Sequence, residues 1–301
     1  MKKIIYSLRF YKFYYWSMIS KFFGAKIAYN DLISLAQNTV AHRWHGETDP
    51  VTQYVVVMNI LQQDKKMTKG LEIGGGYSTA ILTKLVIEKG CKITSIDINP
   101  RKYNFILPSR SHRNYLFSLI DVVEDLTIDF HSLLQYYEQG LAKDIAEFPQ
   151  EKFKEALSHY IVPFDGAYLS SELDPLESLY SEGKFDLKKH VLTADVLKSE
   201  KDFYQTFDRV EKKGVINKIV EENIIYDFIF FDCGELSSLV EWKLLKDKIR
   251  VGGYAILHDI YFPKSVKNFI VAALIELSDD WEIIYKDTAS IQGMLVAKRT
   301  K

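Results

Sequence analysis

The stretch LEIGGGYST (71–79) decides how this 301-residue chain is read. An apolar run carrying the acid Glu72 meets three glycines, Gly74, Gly75 and Gly76, and Ser78 and Thr79 then stand where a helix would begin. Gly74 and Gly76 let the backbone turn tightly and approach a ligand closely, and the hydroxyls of Ser78 or Thr79 suit a helix cap. The next β-rich run, TSIDINP (94–100), ends in Asp97, about twenty residues beyond the glycines. An acid at that distance is placed to hydrogen-bond the ribose hydroxyls of an adenosine cofactor.

Outward from this pair, short β-rich runs alternate with helical segments. They fall at 70–74, 92–97, 190–193, 226–232, 254–258, 281–285 and 294–298. Alternation of this kind predicts an α/β, Rossmann-like, doubly wound and mostly parallel seven-stranded sheet. The run Phe228–Phe231 suits a strand covered on both faces. Pro50 marks a helix start, and the helix is expected over Val51–Asp64. About ninety residues separate Asp97 from His190, where a simple βαβ unit takes about thirty. Residues 104–188 are therefore read as a mostly helical insertion, the core being 50–103 and 189–301, with an N-terminal arm and loop over 1–49.

Two cofactor classes compete for the glycine turn. A dinucleotide site wants a third glycine at position 79, where this chain has Thr79. Glu72 would repel a pyrophosphate and suits a ligand bearing an ammonium and a sulfonium, as S-adenosylmethionine does. On these motifs the chain resembles the class I S-adenosylmethionine-dependent methyltransferases, in particular small-molecule O-methyltransferases of the catechol O-methyltransferase and bacterial tailoring groups. The resemblance covers roughly 50–103 and 189–301, and implies a final antiparallel strand, for which GMLVAKR (293–299) is well placed. It makes EIGGGYST the first family motif and SIDINP the second. The implied cofactor set is Glu72, Gly74, Gly75, Gly76, Tyr77, Ser78, Asp97, Ile98 and Asp232, with Asp195 in VLTADVLKS (191–199) facing the adenine amine.

Methyl transfer to an alcohol requires alignment and a means of handling the proton. Asp232 and Asp259 follow two expected strands at the edge where open α/β sheets bind ligands. In metal-dependent relatives acids at these positions hold Mg²⁺ with an Asn directly after the second, and here that position is Ile260. Both possibilities stay open: Mg²⁺ on Asp232 and Asp259, or His258 as general base, since an ordinary imidazole titrates near neutrality. Cys233 is read as a small structural residue. The Pro-Cys and Asn-Pro-Pro-aromatic contexts of base-methylating enzymes are absent, which directs the reading to oxygen nucleophiles on a small molecule or saccharide and away from nucleic acid. His42, Trp44 and His45, in the polar loop 41–50, are candidate substrate contacts. The rival readings are an NAD-linked oxidoreductase and a non-catalytic, membrane-associated scaffold.

The whole chain carries 39 basic and 40 acidic residues, a net charge of −1. That balance is uneven, with +6 in residues 1–30 and −8 in 104–188. The basic arm is dense in aromatic residues, yet Phe13–Ser20, its longest uncharged stretch, is far short of the roughly twenty residues a membrane span needs. Residues 1–26 are read as amphipathic helix that either packs on a protein surface, including a second subunit, or lies on an anionic membrane. Two cysteines form no disulfide framework and accord with a cytoplasmic setting.

Overall fold

The computed structural model describes residues 50–98, 110–161, 214–232, 234–262, 265–287 and 292–301, together with 198, 200–202 and 204–205. Its seven strands form one sheet in the order β3-β2-β1-β4-β5-β7-β6. The chain divides into two compact units, residues 1–124 and 125–301.

The first unit runs α1 (Pro50–Gln63), β1 (Lys69–Ile73), α2 (Tyr77–Lys89), β2 (Lys92–Asp97), α3 (Arg110–Leu119) and β3 (Asp121–Glu124). Pro50 opens α1, as a residue without an N–H can at no cost in the first turn. Strands β1 and β2 are parallel, with Ile73 opposite Ile96, and β2 and β3 are parallel, with Asp97 opposite Glu124. Leu71, Ile73 and Ile96 are fully buried on this sheet, and Leu85 of α2 is fully buried too.

Strand β3 corrects the boundary of the expected insertion. Residues 110–124 are the crossover helix and third strand of the sheet, so the core does not stop at 103. DVVE has two acids around two half-buried valines. A short edge strand of this kind shows neither an apolar run nor an alternation long enough to read. Beyond it the described part of the segment holds α4 (Phe130–Gln135), a π-helical turn (Tyr136–Gly140), α5 (Leu141–Ala146) and α6 (Gln150–Ser158).

The second unit continues with α7 (Val215–Glu221), β4 (Tyr226–Phe231), α8 (Ser237–Leu245), a 3-10 turn (Lys246–Lys248), β5 (Ile249–His258), α9 (Phe269–Leu277), β6 (Trp281–Lys286) and β7 (Met294–Arg299). β4 is buried along its whole length, and Phe228, Phe230 and Phe231 are at most 1% exposed. Burying each contributes about 1.5–3 kcal/mol relative to solvent exposure. Asp227, the one charge in that strand, pairs with Arg250 of β5. β4 and β5 are parallel, while β7 is antiparallel to both β5 and β6. The antiparallel strand at 294–299 is the one expected from GMLVAKR. Helix α9, FIVAALIEL, is buried from Phe269 to Ile275 and is packed by α6, whose following residues His159 and Tyr160 contact Glu276 at 2.5 and 2.9 Å.

The arm and loop 1–49, the expected strand at 190–193, Asp195 and Cys233 lie outside the described residues, as do His42, Trp44 and His45. Among the described residues no helix is long and apolar enough to cross a membrane.

Candidate functional site

In the first unit the glycine turn is built around a buried carboxylate. Glu72 is completely buried in β1, and its oxygens accept hydrogen bonds from three hydroxyls: Ser78 (2.5 Å), Thr79 (2.6 Å) and Ser95 (2.6 Å). Ser78 and Thr79 belong to the first turn of α2, and Ser95 belongs to β2. One side chain thereby fixes the strand, the helix that follows the turn and the neighbouring strand. Thr79 also accepts from the Gly76 N–H at 2.8 Å, satisfying one of the helix's first orphan donors. The residue that replaces a third glycine thus has a structural use of its own, and its hydroxyl ties the turn to Glu72.

The turn leaves β1 through Gly74, whose φ of 83° is a left-handed conformation that favours glycine. Its N–H donates to the Ile96 carbonyl at 2.9 Å, pinning the turn to β2 one residue before Asp97. At Gly76 an added Cβ would meet nothing within 4 Å, so the backbone here borders open space. Asp97 is 4% exposed at the end of β2, and Ile98 after it is half-buried. The arrangement fits an adenosine ligand: a glycine turn, open at Gly76, held beside a carboxylate at the ends of two adjacent parallel strands. Of the residues expected to bind the cofactor, Gly74, Gly75, Gly76, Ser78, Asp97 and Ile98 all fall within this turn and the end of β2. Glu72 lies beneath the turn, buried among hydroxyls, and organises it.

The second unit holds a separate polar cluster. Asp232 directly follows β4, His258 ends β5, and Asp259 leaves β5 with φ 59°, a left-handed conformation uncommon for a residue with a side chain. The three offer metal-ligating atoms within 4.8 Å of one another. His258 Nδ1 lies 3.0 Å from Asp259 Oδ1 and 3.6 Å from Asp232 Oδ1. The Lys267 ammonium closes the group at 2.7 Å from Asp259 Oδ2 and 3.2 Å from Asp232 Oδ1.

Two cations facing two carboxylates set the protonation of all four groups. Burial opposes charge on His258, but the carboxylates of Asp259 and Asp232 outweigh it and push the imidazole up to about 10. Burial likewise opposes charge on Lys267, and the same two acids hold its ammonium above the ordinary range. For Asp259, burial is outweighed by His258 and then Lys267, and for Asp232 by Lys267 and then His258, so both carboxyls are lowered. His258 therefore carries its proton at neutral pH. The two carboxylates beside it favour the charged imidazole.

The support beneath the cluster is Asn268, fully buried at the foot of α9. Its amide donates to the Phe231 carbonyl at 3.1 Å and the His258 carbonyl at 2.6 Å, and its backbone N–H reaches the Asp259 carbonyl at 3.3 Å. It ties the ends of β4 and β5 together. The loop after β4 has a second anchor: Glu200 accepts the Leu236 N–H at 3.1 Å, and burial pushes its carboxyl up against that hydrogen bond. Lys267, Asn268 and Glu200 were not found from the sequence. The first two sit in SVKNF (265–269), which has no periodicity or motif to single them out.

No family model matches the chain, and no curated protein matches it. Among solved structures it is similar to the O-methyltransferase TomG of Streptomyces achromogenes, solved with SAM, at 12% identity over 90% of each chain and a TM-score of 0.43. It is also similar to an O-methyltransferase of Bacillus cereus solved with SAH, at 13% identity over 96% of this chain and 100% of that one, with a TM-score of 0.41. A methyltransferase of Geobacter sulfurreducens has 8% identity over 90% of this chain and 88% of that one, with a TM-score of 0.42.

Proposed function

We propose that the chain is an S-adenosylmethionine-dependent methyltransferase acting on an oxygen of a small molecule or saccharide. The observation that carries this reading is the juxtaposition in the first unit of the glycine turn, open at Gly76, with Asp97, fixed by the Gly74 N–H on the Ile96 carbonyl. When bound, S-adenosylmethionine supplies an electrophilic methyl group on a sulfonium. Asp97 would hold the ribose hydroxyls, Gly74–Gly76 would border the ligand with backbone alone, and Asp195 would face the adenine. In the second unit, Asp232, His258 and Asp259 are the proposed catalytic residues. Thr79 weighs against the NAD alternative, because a fully buried hydroxyl that ties the turn to Glu72 occupies the position of the third glycine.

Calorimetric titration with S-adenosylhomocysteine tests the reading. Binding to the wild-type chain is expected, together with a loss of about ten- to a hundredfold in affinity for Asp97→Ala, the worth of a hydrogen bond to a charged group. No heat at millimolar ligand would sink it, and an unchanged affinity in the variant would remove Asp97 from the site.

A further inference from the structure

We infer that Lys267 is the resident cation of the Asp232–Asp259 pair and takes the place that a divalent metal would fill, so that this centre works with a fixed ammonium. The inference rests on the methyltransferase reading only for its catalytic consequence; the occupancy itself is a matter of geometry and charge.

The carboxylates alone look like part of a metal centre, with a histidine between them and ligand atoms within 4.8 Å of one another. Three observations argue that they are already taken. Lys267 Nζ reaches both acids, at 2.7 and 3.2 Å, from a side chain only 19% exposed. His258 Nδ1 lies at ion-pair distance, 3.0 Å, from the other oxygen of Asp259. The residue after Asp259 is Ile260, fully buried, whose hydrocarbon side chain offers a metal no ligand.

The charges lead the same way. Two carboxylates face the Lys267 ammonium, with the His258 ring beside them. A hard divalent ion is drawn by uncompensated oxygen charge and needs six or more oxygen ligands. Here it would enter against an ammonium that already reaches both carboxylates, at distances where charge repulsion in a protein is strong. Lys267 also cannot withdraw without cost, because its departure leaves the buried Asp259 and the half-buried Asp232 facing one histidine. The loop that carries it is held by its neighbour Asn268 on the Phe231 and His258 carbonyls and by Glu235, which accepts from Ser265 at 3.1 Å and the Val266 N–H at 2.9 Å. The ammonium is thus presented by a braced segment.

Binding of Mn²⁺ alone, followed by electron paramagnetic resonance and by the melting temperature, decides the matter without a substrate. The wild-type chain is expected to take up no Mn²⁺ at this cluster. Lys267→Ala removes the ammonium, and its affinity for Mn²⁺ is expected to be at least about tenfold higher than that of the wild type, while Lys267→Arg remains as refractory as the wild type. If the alanine variant does not fold, Lys267→Gln removes the charge while keeping an N–H donor for the acids, and the same gain is expected of it. Mn²⁺ binding by the wild type that Asp232→Asn abolishes overturns the inference, as does a folded, charge-free variant that binds no better than the wild type. Titration with S-adenosylhomocysteine on the same samples separates the two readings: Mn²⁺ uptake with retained cofactor binding sinks only the role of Lys267. No cofactor binding and no Mn²⁺ uptake sinks only the methyltransferase reading.

Discussion

Replacing Glu72 by alanine separates two roles that a buried acid next to a cofactor loop can have. In the wild type its carboxylate accepts three hydroxyl hydrogen bonds, from Ser78, Thr79 and Ser95, with no side-chain exposure. Each such bond contributes about 1–1.5 kcal/mol net, and a buried hydroxyl left without an acceptor costs more than a bond never made. Three bonds that anchor one turn therefore predict a loss of about 3–5 kcal/mol of unfolding free energy for Glu72→Ala, measured by urea denaturation. Ser95→Ala removes one donor and leaves the other two, so a loss of about 1–1.5 kcal/mol is expected, with cofactor affinity unchanged. If Glu72 instead met the ligand directly, Glu72→Ala would lose affinity for S-adenosylhomocysteine with little change in stability. A stability loss below about 1 kcal/mol in the alanine variant would refute the account of Glu72 as the anchor of the turn.

Asn268→Ala deprives the buried Phe231 and His258 carbonyls of their shared donor and should cost about 2–4 kcal/mol, read as a fall in melting temperature; an unchanged melting temperature would mean that the ends of β4 and β5 are held by other contacts. The charge cluster gives stability a defined pH profile. His258 has a folded pKa raised to about 10, so its contribution is complete below its ordinary value near 6.5 and fades as pH rises towards 10. Asp232 and Asp259 are lowered, so theirs is present above the ordinary carboxylate value and is lost as pH falls below it. Chemical denaturation from pH 4 to 10 should place the greatest contribution of the cluster between about 4 and 6.5, and His258→Gln should flatten the alkaline limb. An alkaline limb identical in that variant would show that His258 is not the group responsible.

What was legible in the sequence was whatever recurs locally. The glycine turn, Asp97 at the end of β2, and Asp232, His258 and Asp259 at the ends of β4 and β5 are all consequences of strand-then-turn patterns, and the structure places each at a strand end. The strand Lys92–Asp97 falls where the pattern puts it, because a helix with a glycine at its C-terminal end precedes it and an acid ends it. β3 stayed hidden because an edge strand of two exposed acids around two half-buried valines has no run to read. The partners of the site residues were hidden for a different reason. Whether Glu72 faces a ligand or three hydroxyls depends on which face of β1 is covered and by what, and Ser95 sits 23 positions away. The role of His258 turned on the same kind of fact. Its ordinary pKa makes it a base in isolation, yet the two acids within 3.6 Å keep its proton in place. Lys267 is the sharpest case, since a lysine eight residues beyond Asp259 reads as a solvated loop charge until the loop folds back and lays its ammonium across two carboxylates. Motifs name the groups that meet at such a centre, whereas the sign and count of the charges around them, which decide between metal, base and ammonium, are properties of the folded chain.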